Sequence, residues 1–331
     1  MNRIYRYAMS SSSVRCLGAM GLCTTIVFGS MARAEAASAT SDAGGKTLQI
    51  GALVYDTTIP YFTPMIDGEN QAAKDLNSKI DVQNGQSDLS KEIAIIQQFI
   101  SQGKDVMVVT ASDSKGIAPI IKVANQAGIP VIANNTVIIG AESVTYVGSD
   151  NVTYGRTLAK AACGLLKGHG KVAVIEGVLG SSPQFDRKAG IEAEFAEKCP
   201  GVTILADQTA NWDNAQALSV GQDFLNKYGP GKIDAIIDEG PEGVAPARWA
   251  HQNGRDDVKW ILGDVPKAVA AAIRDGYVAA AVWQDPKEQG YKSVENAVNW
   301  VRGNKDKVPQ PRDYSGNLVI DSTNIDTVKP Y

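Results

Sequence analysis

Histidine is almost missing from this chain: His169 and His251 are the only two, far apart in the sequence. Neither stands at a spacing that would ligate a metal or complete a nucleophile–base pair, so the sequence implies no catalytic centre, no metal and no cofactor. Cysteine is scarce as well, with four among 331 residues and no CxxC pair, which removes the redox motifs. Basic residues do not predominate: 32 Lys and Arg face 36 Asp and Glu, for a formal charge of −4. Nucleic-acid binding calls for basic patches and is excluded on that balance. The glycine-rich stretch GVLGSS at 177–182 lacks both the GxGxxG spacing and a GK[ST] ending, so it is not a nucleotide loop; its glycines fit close backbone approach. Nor is there an apolar run of the roughly 20 residues that a bilayer span needs.

What the chain does have begins with a leader. Arg3, Arg6 and Arg15 precede the uncharged, mostly apolar run CLGAMGLCTTIVFG from Cys16, and Ala32-Arg33-Ala34 offers small residues at cleavage-site spacing. This is the pattern of a secretory signal peptide over residues 1–34, cleaved near Ala34, and it directs the protein to export. A retained anchor is the alternative, but the run is short for one. Cleavage removes four arginines (Arg3, Arg6, Arg15, Arg33) and no acid, moving the charge from −4 to about −8. Cys163 and Cys199 remain. In an oxidising compartment they form a disulfide or stay as two separate buried thiols; a bridge would contribute roughly 3–4 kcal/mol.

The mature chain, with ordinary globular composition (44% hydrophobic, 21% charged), alternates apolar strands with helical periodicities. Strands are expected at 48–55, 105–110, 129–133 and 144–147, then in a second round from about Asn151 at 171–176, 202–206, 234–238, 258–262 and 278–283. A helix should run from the first strand to about Lys79, with Met65, Ala72 and Leu76 on one face. Others carry Leu89, Ile93, Ile96 and Ile100, then Ile117, Ile120, Ile121 and Ala124, and lastly Tyr291, Val294, Val298 and Val301. Strands that are apolar throughout are buried on both faces, so the fold class is α/β with parallel, doubly wound sheets in two lobes.

Ligands of such sheets bind beyond the carboxyl ends of the strands. The residues there are mostly polar or aromatic: Tyr55-Asp56, Thr110-Ala111, Asn134-Asn135, 177–185, 211–213, 239–242, Asp264 and Gln284-Asp285. The first of these opens GALVYDTTIPYF, where an apolar strand ends in an acid and two rings follow Pro60.

The segments IPYF (59–62), QAGIPVIANN (126–135), YVGSDNVTYG (146–155), GKVAVIEGVLGSSPQFDRKAG (170–190) and RDGYVAAAVWQDPKEQG (274–290) resemble, in that order, the ribose-type (type I) periplasmic sugar-binding proteins. These are solute receptors of ABC importers. The resemblance implies two lobes joined by a three-crossover hinge with the ligand between them. Its crossovers fall near Asp150-Asn151, Gln284-Asp285 and Asn317. The N-terminal lobe is then 47–150 plus 285–316, and the C-terminal lobe 151–284 plus 317–331. Ligand-binding positions map onto Tyr55, Asp56, Tyr61, Phe62, Asn134, Asn135, Phe185, Trp212, Asp264 and Gln284, with Arg187 two residues beyond Phe185 and Glu239 at the neighbouring tip. Ile59, Phe185 and Gly240 replace hydrogen-bonding residues of the family, so the sugar does not transfer.

Bland roles stand beside several of these. One of Tyr61 and Phe62 can be a core residue, since neighbours cannot face a ligand equally. Asp56 and Asp213 can cap turns or helices, and Arg187 can tie its loop down. Rings suit the C–H faces of sugars, and carboxylates and amides their hydroxyl edges. The acids Asp56, Glu239 and Asp264 against Arg187 argue against anionic ligands and leave a cationic one open. The expectation is a monomeric receptor that binds a monosaccharide or polyol and delivers it to an ABC permease of the inner membrane. The alternative is a sensory receptor that presents a small polar or cationic solute to a membrane kinase or chemoreceptor.

Overall fold

The computed structural model describes residues 46–331, so the leader read at 1–34 lies outside the described residues. In chain order the first part comprises β1 (Leu48–Val54), α1 (Phe62–Asp75), β2 (Ser78–Asn84), α2 (Leu89–Ser101), β3 (Val106–Thr110), α3 (Ala118–Gln126), β4 (Val131–Asn134) and β5 (Tyr146–Ser149). The second comprises α4 (Asn151–Leu165), β6 (His169–Glu176), α5 (Ser182–Lys198), β7 (Gly201–Thr209), α6 (Asn214–Lys227), β8 (Ala235–Asp238), α7 (Val244–Gln252), β9 (Lys259–Gly263), α8 (Lys267–Asp275) and β10 (Ala280–Trp283). The chain finishes with α9 (Pro286–Val301), β11 (Arg312–Ser315) and β12 (Leu318–Ile320).

These strands make two six-stranded sheets, ordered β11-β5-β4-β3-β1-β2 and β12-β10-β9-β8-β6-β7. All pairings in the first are parallel; in the second only β12 runs antiparallel, on β10. Helices cover both faces. Central strands such as β3 and β8 are buried along their whole length, which is why they read as unbroken apolar runs.

The chain passes from one sheet to the other after β5, back after β10, and again between β11 and β12. Side chains from all three passages meet. Gln284 Oε1 accepts from Ser149 Oγ at 2.7 Å and from Gln289 Nε2 at 3.0 Å, and Gln289 Nε2 also reaches Ser315 Oγ at 2.8 Å. Two amides, Gln284 and Gln289, thus tie the three connections together, so a rotation of the lobes is a rotation about this knot.

Three differences from the sequence expectation have physical causes. The helix after β1 stops at Asp75, and 78–84 is an edge strand: Asn77 turns left-handed at φ 47°, and SKIDVQN alternates in polarity. The strand read at 202–206 extends over Gly201–Thr209 because β7 is a half-exposed edge whose outer positions are polar. β11 lies within 303–317 (GNKDKVPQPRDYSGN), which reads as a loop before the last crossover, and β12 just beyond it; both are short edge strands.

In the second lobe α4 and α5 cross at glycines. A Cβ on Gly155 would stand 1.9 Å from Arg187 O, and one on Gly190 2.2 Å from Val152 O. This close approach sets the height at which α5 presents Arg187. Cys163 and Cys199, at the far ends of the same two helices, are bonded, with Cα atoms 6.2 Å apart.

Candidate functional site

The carboxyl ends of both sheets face one gap, a pocket with about 340 Å³ of space not filled by protein atoms, the solvent at its mouth included. Its wall draws Tyr55, Ile59, Tyr61, Phe62 and Asn135 from the first lobe, Pro183, Arg187, Trp212, Pro241, Glu242 and Asp264 from the second, and Gln284 from the hinge. The lobes touch across the rim. Ser114 N donates to Gly180 O at 3.1 Å, Ser182 N to Ser114 Oγ at 3.0 Å, and Val137 N to Ser182 Oγ at 2.8 Å. The structure is therefore in a closed arrangement.

Three wall residues, Asn135, Trp212 and Asp264, hold left-handed backbones at φ 59°, 56° and 58°. Such conformations are uncommon outside glycine, and cluster where surrounding structure fixes a side chain for binding. Asn135 Nδ2 donates to Tyr61 Oη at 3.3 Å, and Tyr61 Oη donates in turn to Gln289 Oε1 at 2.6 Å. The first lobe's rings are thereby anchored to the hinge amides.

In the second lobe Arg187 is the buried cation of the wall. Its Nε donates to Asn151 Oδ1 at 3.0 Å and its Nη1 to Glu239 O at 2.5 Å, and the guanidinium lies 3.9 Å from the Tyr154 ring centroid and 5.6 Å from that of Trp212. Asp264 Oδ1 accepts from Gln284 Nε2 at 2.7 Å and from Tyr154 Oη at 3.0 Å. Burial pushes the Asp264 carboxyl up, and Arg187 pulls it part of the way back.

Trp212 occupies a slot between two glycines. A Cβ on Gly177 would fall 1.8 Å from its Cζ2, and one on Gly240 2.7 Å from its Cε3 and 2.2 Å from Glu242 Oε2. Gly240 is thus glycine because the indole lies where a side chain would be.

Not every residue singled out in the sequence reaches the wall. Asp56 points into its own turn, accepting from Thr58 N at 2.9 Å, Thr58 Oγ1 at 2.7 Å and Ser87 Oγ at 2.8 Å. A short acid bonds backbone two residues on more readily than it spans a cleft. Asn134 turns inward, donating to Glu69 Oε1 at 3.1 Å and Met65 Sδ at 3.4 Å, while its neighbour Asn135 faces the gap. Phe185 is half-buried on α5 outside the wall. Pro183 and Arg187, four apart, share the pocket-facing side of that helix, and position 185 falls on the opposite side. Glu239 braces the loop, its Oε2 accepting from Gly177 N at 2.9 Å. Asp213 caps α6, accepting from Gln216 N at 2.8 Å. Tyr61 and Phe62 both line the gap, their rings edge-to-face at 5.4 Å.

Sequence reasoning put Pro183, Pro241 and Glu242 at strand tips without assigning them to the site, and passed over Tyr331, which stands behind the wall. The spacing of Pro183 to Arg187 and the paired acids of EGPEG were available signals. Tyr331 gave none: its ring packs edge-on to Tyr61 at 6.1 Å, within the cluster that includes Tyr55 and Phe62. Among the described residues its buried hydroxyl has no hydrogen-bond partner, and neither has Glu242 Oε2.

Comparison with known proteins agrees with this architecture. The ribose import binding protein of Escherichia coli K12 is 31% identical over 287 residues, covering 85% of this chain and 94% of that protein. A Caulobacter myo-inositol binding protein, solved with myo-inositol bound, superposes with a TM-score of 0.80 at 27% identity, covering 86% of this chain and 96% of that one. An Actinobacillus succinogenes 130z ABC transporter periplasmic solute binding protein, solved with D-allose, gives 0.76 at 26% identity, covering 85% and 100%. Residues 50–305 match the periplasmic binding protein domain, and the chain belongs to that family, with the two α/β lobes of its type I members.

Proposed function

We propose that this protein is the solute receptor of an ABC importer, binding a monosaccharide or polyol between its lobes and delivering it to a membrane permease. The observation that carries the reading is the shared wall: three rings, an aliphatic side chain and an amide from one sheet's tips face a guanidinium, two carboxyls and an indole from the other's, across one gap. Rings cover the C–H faces of a sugar, and its hydroxyls gain about 1.5–3 kcal/mol from each bond to a charged group and about 0.5–1.5 kcal/mol from each bond to an amide. No nucleophile–base pair enters this reading, which is of a receptor and not an enzyme.

The moving bodies are 47–150 with 285–316, and 151–284 with 317–331. Closure about the Gln284 knot brings both halves of the wall onto the solute, and a ligand that prefers the closed state shifts the population toward it. The closed form, with both outer lobe surfaces at fixed spacing, docks on the permease as a monomer. Residues 1–34 serve as the export signal, removed near Ala34, and the receptor works in the periplasm. The relatives that bind ribose, myo-inositol or allose support this solute class.

The test is a thermal-shift screen of ligand-stripped protein against ribose, allose, myo-inositol and related neutral sugars and polyols. A ligand at one hundred times its Kd stabilises by about 2.7 kcal/mol, a rise of roughly 4–5 °C for a chain of this size. If no neutral sugar or polyol raises the melting temperature, the carbohydrate reading fails.

A further inference from the structure

The second lobe's half of the site is rich in carboxyl groups. Asp238, Glu239, Glu242 and Asp264 are all buried, against Arg187 as the one cation of the pocket wall. Arg187 is already engaged by Asn151, the Glu239 carbonyl and the rings of Tyr154 and Trp212. Glu239 and Asp264 spend their carboxyls on Gly177 N and on Gln284 and Tyr154. Asp238 bonds Gly240 N at 2.9 Å.

Among the described residues Asp238 Oδ2, Glu239 Oε1 and Glu242 Oε2 are all buried without a partner, but of these three acids Glu242 alone lines the pocket, where it is 3% exposed. Its Oε2 sits beside the indole, for the same point above Gly240 Cα is 2.2 Å from Oε2 and 2.7 Å from Trp212 Cε3. Tyr55 lines the same pocket, and Glu242 is the charge that acts most strongly on its phenol. A carboxylate beside an indole in a pocket lined by aromatic rings is an arrangement that holds an ammonium group, which gains from the charge and from the ring faces together.

We infer that the solute carries an amino group, and that Glu242, with Trp212 and Tyr55 beside it, receives that group as an ammonium: the ligand class is an amine-bearing sugar or polyol. This rests on the receptor reading above and narrows it. Burial and the neighbouring Asp238 push the Glu242 carboxyl well above its usual range, and an ammonium placed beside it would oppose that shift.

Matched pairs test the inference by titration calorimetry on wild-type protein: D-glucosamine against D-glucose, and an aminodeoxy-inositol against myo-inositol. For at least one pair the amine should bind roughly tenfold or more tightly than its hydroxyl partner. In Glu242→Gln the ratio of amine to neutral affinity should collapse toward one, whatever the substitution does to the neutral partner's own affinity; a ratio that stays at the wild-type value overturns the assignment to Glu242. A neutral member that matches or exceeds its amine in both pairs overturns the amine inference but leaves the receptor reading standing, and needs no variant to be folded. Failure of every amine and every neutral sugar and polyol to bind overturns both.

Discussion

Adding one methyl group at Gly177 should remove Trp212 from the site. Gly177 does not hold a left-handed φ, so alanine brings no backbone strain there. Its Cβ would lie 1.8 Å from Trp212 Cζ2 and 2.2 Å from Cε2 and Cη2. The indole cannot slide away, because Gly240 and Glu242 close the other side, and its backbone is fixed beside the α6 cap at Asp213. It must leave the slot. Overpacking of this kind destabilises by about 1–3 kcal/mol, and losing the ring's contact with ligand forfeits about 2 kcal/mol of binding, roughly 30-fold in Kd. Denaturant unfolding of wild type, Gly177→Ala, Trp212→Ala and the double variant gives the coupling without any ligand. In the Trp212→Ala background the added methyl should be close to neutral, since the space is free. Calorimetry with whichever sugar or polyol binds should show similar losses for both single variants. An alanine at Gly177 that costs the same with and without Trp212, or that leaves affinity at the wild-type value, would refute the slot.

Other consequences follow from other parts of the molecule. Opening the Cys163–Cys199 bond, which closes a loop of 36 residues, should lower stability by about 4 kcal/mol in denaturant unfolding with and without reductant; equal curves would contradict this. Glu69 is fully buried with its carboxyl pushed up to about 8 by desolvation, against the help of one bond from Asn134. Between the unfolded-chain value near 4.5 and about 8 the unfolded state releases a proton that the folded state keeps, so this group makes stability fall as pH rises through that window. Glu69→Gln should flatten the fall and be more stable than wild type by roughly a few kcal/mol at pH 8, with little difference at pH 4; parallel pH profiles would show that Glu69 does not titrate there. Tyr331→Ala removes a ring that meets Tyr61 across the cleft and should weaken ligand binding about tenfold. Tyr331→Phe separates the hydroxyl's share from the ring's, and wild-type affinity in both would place Tyr331 outside the site.

Much of the fold was legible because parallel strands buried on both faces are written as unbroken apolar runs: VMVVT and DAIID leave little choice. Edge strands were not, because half their positions meet water; SKIDVQN and RDYS read as helix end and loop. At the site, strand-tip logic found Tyr55, Asn135, Trp212, Asp264 and Gln284, since the sheet alone decides where a strand ends. It misplaced Phe185 because the deciding variable was the phase of α5, which brings Pro183 and Arg187 inward. It chose Glu239 over Glu242 because the turn through Pro241 determines which acid faces the gap, and nothing local to the letters fixes that turn. Tyr331 enters through a tertiary contact far along the chain, beyond any local pattern.

The central claim is that two lobes close on one solute held between them. Small-angle X-ray scattering of ligand-stripped protein, before and after saturation with a sugar or polyol that raises its melting temperature, tests it most directly. The account expects the radius of gyration to fall on saturation and the liganded curve to match the closed structure described above. A ligand that binds tightly while the scattering curve stays unchanged, open or closed, would contradict it.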